Sequence, residues 1–237
     1  MTWSIVARDP ATGAFGVAVA TRFFAVGALC PHGEGGVGAL CTQALINPTF
    51  GPRGLRLLRE GVSAQMVVDA LIASDPGRAA RQLHVQDREG RIAAHTGADC
   101  VPWCGHAIHA GFSVAGNMLA GPEVIAETAR AYEAASELPF PRRLIAALNA
   151  GEAAGGDKRG KQSAALRIFT TEEYPALDLR VDDHPDPLAE LARLEAVSRE
   201  RFVHFAKFFA TRSSPGGVWD RAVIEAEIAR ATGHSPQ

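Results

Sequence analysis

Thr2 is the first residue of this chain that could do chemistry, and it opens the run Thr2-Trp-Ser-Ile-Val-Ala-Arg8. If Met1 is removed, Thr2 carries a hydroxyl nucleophile and a free α-amine. An α-amine titrates near pH ~7.7–8.0, so part of it is neutral at pH 7 and can accept the proton of its own hydroxyl. The plainer reading of Thr2 is a β-branched residue that suits a strand. Asn117 ends an alternating run just before a helix start, where its amide can donate to a developing oxyanion or satisfy loop backbone. Gln43 stands among apolar residues, and a buried Gln needs partners in a structural network or in a site. Arg22 ends the second run of the chain and can bind a substrate carboxylate, tune a nearby amine, or pair with an acid at the surface.

A second group of polar residues lies in Gly155–Ser163, where Asp157, Arg159, Gln162 and Ser163 are set among glycines. Glycine lets backbone approach a ligand closely, and a guanidinium forks onto a carboxylate. The order is not that of a phosphate-binding P-loop. The segment reads equally as a ligand-binding loop or a solvated connection. Two clusters have metal-ligand residue types. Cys100 and Cys104 precede His106 and His109, but there is no second pair of ligands at zinc spacing, so the four cysteines read as reduced, buried thiols. Asp182, Asp183 and His184 with Asp186 could hold a divalent cation, but they precede Pro187 and read better as the acidic start of a helix. No metal or cofactor is expected.

Composition narrows the function classes. At 237 residues, 47% hydrophobic and 21% charged, the chain can bury a sizeable core. A net charge of −2 gives no basic field for nucleic acid or an anionic membrane. No apolar stretch reaches the ~18 residues of a membrane span. No signal peptide is visible, which points to a cytoplasmic location.

These residues must be positioned by regular elements. Thr2–Arg8 and Ala14–Arg22 form a hairpin about Asp9-Pro10-Ala11-Thr12-Gly13. Residues 30–36 read as a loop, and Val37–Ala44 as a buried strand. A turn at Asn47-Pro48 and Gly51-Pro52 leads into a helix stopping at Gly61, and Ser63 caps a second over Ala64–Ala73. Arg81–Asp87 and Arg91–Thr96 form another hairpin. Gly97–His109 is a loop and Phe112–Leu119 a strand. Helices follow over Glu123–Leu138, with Val124, Ala131 and Ala135 inward, and over Pro139–Ala150, closed by Gly151. Ala164–Phe169 and Leu177–Val181 are strands. A helix runs from about Leu188 to Glu200, and the tail is helical with a polar end. Trp103, Trp219, Phe205, Phe208 and Phe209 are expected in the core or at an interface. Hairpins separated by helix pairs predict an α+β fold of two antiparallel sheets between helix layers. The organisation expected is one domain over 1–237, with a helical extension from about residue 190.

Several segments together resemble the domain of unknown function 1028 family: Thr2–Pro10, Gly16–Phe23, Thr42–Leu45, Gly51–Leu55, Pro102–His106, Phe112–Leu119, Gly155–Leu166 and Leu179–Pro187. That family is placed among the N-terminal-nucleophile hydrolases, with the four-layer αββα sandwich of proteasome subunits and penicillin acylases. The resemblance implies amide hydrolysis with Thr2 at the nucleophile position. Proteasome-like members carry an acidic residue after the second strand and a Lys on the next. Here Thr21 and Arg22 occupy the first region, and Val37–Ala44 contains no Lys.

The functional expectation is therefore an amidohydrolase of a small amide, an acyl-amino acid or γ-glutamyl compound. Thr2 would be the nucleophile, Asn117 or Gln43 the oxyanion donor, and Arg22 or Arg159 the carboxylate ligand. The alternative is a non-catalytic small-ligand-binding protein using the loop of Asp157, Arg159, Gln162 and Ser163. A metal-dependent hydrolase at Asp182, Asp183 and His184 is a third reading. The expected partners are a small molecule and a second copy in a homodimer, with no nucleic acid and no membrane.

Overall fold

The computed structural model describes residues 2–233; Met1 and the polar end of the tail, residues 234–237, lie outside them. The chain divides into two compact units, residues 1–191 and 192–237. The first begins with β1 (Thr2–Arg8), β2 (Phe15–Thr21), β3 (Pro31–Glu34) and β4 (Gly38–Ala44). Then come α1 (Phe50–Arg59), α2 (Ala64–Ala73), β5 (Arg81–Asp87), β6 (Ile92–Thr96), β7 (Gly105–His109) and β8 (Phe112–Asn117). It continues with α3 (Glu123–Ala134), α4 (Phe140–Ala153), β9 (Ser163–Phe169), β10 (Leu177–Val181) and the start of α5 (Pro187–Ser198).

The fold is α+β with two antiparallel sheets. The larger has the strand order β10-β9-β2-β1-β8-β7, and the smaller has β3-β4-β5-β6. Helices α3 and α4 pack on the larger sheet, α1 and α2 on the smaller, and the two sheets contact each other through β1, β2, β8 and β9 against β3, β4 and β5. Side chains alternate along each strand. In β1, Ser4 faces Gln43 and His84 of the smaller sheet, whereas Trp3 faces Gly151 of α4. In β5, Leu83 and Val85 join the apolar cluster of Val67, Leu71 and Phe50 from α2 and α1. Where β2 and β9 meet β3 and β4, the space between the sheets is apolar, filled by Val17, Val19, Ala39, Cys41, Ala165 and Phe169.

Two strands differ from the expected loops. β3 reads Pro-His-Gly-Glu, and β7 lies within the segment expected to be irregular. Both are sheet edges, where Pro is tolerated at the first position and one side needs no partner, so neither carries the apolar run of a central strand. α1 starts at Phe50, so Gly51 and Pro52 lie inside its first turn, where a missing N–H costs nothing. α2 begins as expected, with Ser63 Oγ accepting from Met66 N at 3.4 Å. α3 buries Val124, Ile125, Thr128, Ala129 and Tyr132; Ala131 and Ala135 are only half-buried.

Gly151 does not close α4, which runs on to Ala153. Its role is close approach: a Cβ there would lie 2.3 Å from Thr128 Oγ1 and 2.7 Å from Trp3 Nε1. In the second unit, Asp220 caps α7 (Arg221–Thr232) by accepting from Ala222 N at 2.9 Å, and Phe209 packs edge-on against Phe205 of α6 (Phe202–Phe205) at 5.6 Å. Trp219 is 86% exposed and outside the core. Among the described residues, no helix is long and apolar enough to cross a membrane.

Two outcomes follow from this packing. Gly151→Ala should destabilise the protein by about 1–3 kcal/mol in chemical denaturation, because Trp3 and Thr128 must move. Asp75 accepts from Asn47 Nδ2 at 2.9 Å, Arg81 Nε at 2.9 Å and Gly77 N at 2.8 Å. The Arg81 and Asn47 hydrogen bonds hold its carboxyl down at about 2. A depressed folded pKa stabilises fully above the unfolded value of about 4 and is lost as pH falls towards 2. Asp75→Asn should flatten the stability profile in that window while the parent keeps it.

Candidate active site

Thr2 sits at the end of β1, where both neighbouring strands of the larger sheet present polar residues. It is paired in register with Asn117 of β8, and its Oγ1 lies 3.1 Å from Thr21 Oγ1 at the end of β2. The side chain is buried. From β8, Asn117 Nδ2 approaches the Thr2 carbonyl at 3.5 Å; from β4 in the opposite sheet, Gln43 Nε2 does so at the same distance. The structure thus brings together Thr2, Asn117 and Gln43, which lie far apart in sequence.

Sequence reasoning missed what holds them. Gln82 Oε1 accepts from Gln43 Nε2 at 2.8 Å and from Asn117 Nδ2 at 3.0 Å. Gln82 Nε2 in turn lies 2.8 Å from the Gly116 carbonyl and 2.9 Å from Thr96 Oγ1. Ser4 Oγ donates to Gln43 Oε1 at 2.8 Å and so accepts from His84 Nε2 at 2.9 Å, leaving Nδ1 to pair with Ser113 Oγ at 2.9 Å. Further along β5, Gln86 Nε2 donates to the Gly111 carbonyl at 3.1 Å. Gln82, His84 and Gln86 alternate along β5 and are all buried against β8. The only signal in the sequence was that alternation, which also describes a strand with one face in water.

The remaining candidates fall into two roles. Asp157 is a bracket: its buried carboxylate accepts from Arg22 N at 2.8 Å and from Arg159 N at 2.8 Å, and it pairs with the Arg159 guanidinium at 3.3 Å. Ser163 donates to Phe23 O at 2.5 Å and accepts from Val26 N at 3.2 Å, which fixes the turn after β2. Gln162 Nε2 donates to Asp183 at 3.0 Å. These three side chains hold loops to one another. Arg22 differs, because its guanidinium is exposed and its one hydrogen bond among the described residues is a long one, 3.5 Å to the Lys161 carbonyl.

Neither metal-type cluster converges. Asp182 pairs with Arg180, Asp186 with Lys161, and His184 Nδ1 accepts from Asp186 N. Asp186 Oδ1 also accepts from Ala189 N at 3.4 Å, at the start of α5. Cys100 donates to Arg81 O and Cys104 to Cys100 O, while Cys30 hydrogen-bonds Cys41, which with burial pushes its thiol well up. Among the described residues, no three His, Cys, Asp or Glu side chains group to hold an ion.

The backbone around Thr2 is strained. Among the described residues, the non-glycine positions with positive φ are Ala25 (54°), Ala44 (70°) and Met118 (60°). Ala25 lies in the turn after β2, Ala44 ends β4 beside Gln43, and Met118 follows Asn117. Such conformations cost about 1–3 kcal/mol each and gather at functional sites. Ala44 and Met118 thus adjoin the two residues whose amides approach the Thr2 carbonyl.

Residues 2–191 match the model of a family of unknown function, DUF1028. A crystal structure of a protein from Silicibacter pomeroyi, described as a DUF1028 protein, is similar at a TM-score of 0.86 and 34% identity, covering 93% of this chain and 96% of that one. The ancestral beta-subunit Anbu from Yersinia bercovieri is a distant likeness at a TM-score of 0.43 and 9% identity, over 83% of this chain and 94% of that one. No curated protein matches the chain. The chain belongs to the DUF1028 family.

Proposed function

We propose that the protein is an N-terminal-nucleophile amidohydrolase acting on a small amide, an acyl-amino acid or γ-glutamyl compound, on a four-layer αββα sandwich. The observation that carries this reading is the setting of Thr2. Its hydroxyl is buried beside Thr21 at the end of β1, its carbonyl faces two carboxamides, and the residue after each carboxamide, Ala44 and Met118, has positive φ. A small residue after Met1 suits removal of that methionine by the aminopeptidase that trims new chains.

The free α-amine would accept the hydroxyl proton as Oγ1 attacks the amide carbon. Asn117 or Gln43, whose amides already lie near the Thr2 carbonyl, would donate to the oxygen on which negative charge gathers. The amine then returns the proton to the leaving nitrogen, and water hydrolyses the ester on Thr2. Arg22 serves the substrate carboxylate; Arg159 is already paired with Asp157. The same reading places the protein in the cytoplasm as a homodimer, with association covering an open sheet edge.

One observation favours the binding-protein alternative: β4, the strand that reaches Thr2 through Gln43, carries no Lys. Kinetics decide between the two. A chain beginning at Thr2 should release amine from acyl-amino acids or γ-glutamyl amides. Thr2→Ala should lower kcat about a thousandfold or more, and Thr2→Ser should keep measurable turnover. Full turnover by Thr2→Ala would remove the nucleophile from this account. The support beneath Thr2 has its own test. Gln82→Met conserves volume but strips the partner from Gln43, Asn117 and the Gly116 carbonyl, so the denaturation midpoint should fall by the equivalent of about 2–4 kcal/mol. An unchanged midpoint would show that the network is not needed.

A further inference from the structure

We infer that the amide taken by this site is an N-acyl amino acid with a long apolar acyl chain, its chain on Phe23, Phe24 and Leu45 and its carboxylate on Arg22 and Lys158. The chemistry of the inference rests on the hydrolase reading above; the recognition rests on the rim around Thr2.

Phe23, Phe24 and Leu45 are 57%, 61% and 68% exposed. Their places in the chain are tied to the nucleophile. Phe23 and Phe24 follow Thr21, whose hydroxyl meets that of Thr2, and Leu45 lies two residues beyond Gln43, whose amide approaches the Thr2 carbonyl. Their backbone is fixed. Phe23 O accepts from Ser163 Oγ, Ala25 N donates to Asp182 O at 2.9 Å, Leu45 N donates to Ala80 O at 3.1 Å, and Leu45 O accepts from Arg81. Ala25 and Ala44, next in the chain to Phe24 and Leu45, have positive φ. Exposed apolar side chains on fixed backbone, just beyond the strand ends that bring Thr21 and Gln43 to Thr2, suit a subsite for an apolar group. Scattered surface residues would need neither the strain nor the anchoring.

The charges at this end are asymmetric. Arg159 is matched to Asp157, and Lys161 to Asp186 and Glu152. Arg22 and Lys158 have no ion pair among the described residues; their cationic groups rest on the carbonyls of Lys161 and Pro102, at 3.5 and 2.9 Å. Two exposed cations without carboxylates suit an anionic group. Asp157, the buried acid of this loop, is matched by Arg159 and backbone N–H, and the exposed apolar side chains suit an acyl chain better than the polar γ-glutamyl group.

In the reaction, Thr2 Oγ1 bonds to the acyl carbon and the C–N bond breaks. The amino-acid nitrogen leaves with a proton from the Thr2 α-ammonium. Water then cleaves the acyl ester, releasing the fatty acid and regenerating the hydroxyl.

The test uses the full chain beginning at Thr2, with N-acetylglycine, N-octanoylglycine, N-dodecanoylglycine, N-dodecanoylethanolamine and γ-glutamyl-p-nitroanilide. Turnover should rise at least about tenfold in kcat/KM from acetyl to dodecanoyl, as buried methylenes accumulate. Phe24→Ser and Leu45→Ser, both at exposed positions, should flatten that dependence. Arg22→Gln should raise KM for N-dodecanoylglycine about tenfold and leave the ethanolamine amide, which lacks the carboxylate, unchanged. Thr2→Ala, tested by calorimetry, should bind N-dodecanoylglycine at least about tenfold more tightly than N-acetylglycine without turning it over. Chain-length-dependent binding with no turnover by any form supports the ligand class and removes the hydrolase reading. Turnover that ignores chain length or prefers the γ-glutamyl compound overturns the inference and leaves the hydrolase reading standing. Equal binding of short and long chains to Thr2→Ala overturns it, as would Phe24→Ser or Leu45→Ser altering self-association instead of substrate preference, since a second copy would then be the occupant.

Discussion

The Gln82 carboxamide is the contact on which the Thr2 end depends. Its oxygen accepts from one carboxamide of each sheet, Asn117 of the larger and Gln43 of the smaller, and its nitrogen is held by the Gly116 carbonyl and Thr96. A buried carboxamide without partners costs about 1–3 kcal/mol per unmade group, so the four must be arranged together or not at all. That requirement sets the spacing of the two sheets at β5 and β8 and aims Gln43 and Asn117 at the carbonyl of Thr2. The interior is thereby divided. Between β2–β9 and β3–β4 it is apolar, where shape alone decides, and between β1–β8 and β4–β5 it is polar, where directional bonds decide.

The loops of the rim obey a second constraint, centred on Asp157. One buried carboxylate ties the backbone after β2 to the Arg159 loop, while Ser163 holds the next turn through Phe23 and Val26. These fixed loops leave Phe23, Phe24 and Leu45 exposed and, among the described residues, Arg22 without an acidic partner. Strain at Ala25, Ala44 and Met118 is tolerated because the surrounding bonds over-determine it.

The fold was legible in the sequence wherever local signals agree with burial. β1, β5 and β10 have the expected bounds, and Ser63 caps α2 as its residue type predicts. The edge strands β3 and β7 were not legible, because an edge needs neither a run of apolar residues nor the absence of Pro and Gly. Gly151 misled for a related reason: its sequence sign is that of a helix stop, but its cause is the indole of Trp3. At the candidate site, Thr2, Asn117 and Gln43 were candidates from position and residue type, and the structure brings the three together. Gln82, Ser4, His84 and Ser113 could not, since a polar residue alternating with apolar ones looks the same whether its face meets water or another sheet. Only the pairing of β5 against β8 distinguishes the two.

The account turns on whether Thr2 has a free amine. The direct measurement is mass spectrometry of the N-terminal peptide of untagged protein from its native cell. The account predicts a chain that begins at Thr2, with nucleophile and base on one residue. A chain that still carries Met1 would contradict it, because the amine would then be an amide nitrogen unable to accept the proton of the hydroxyl.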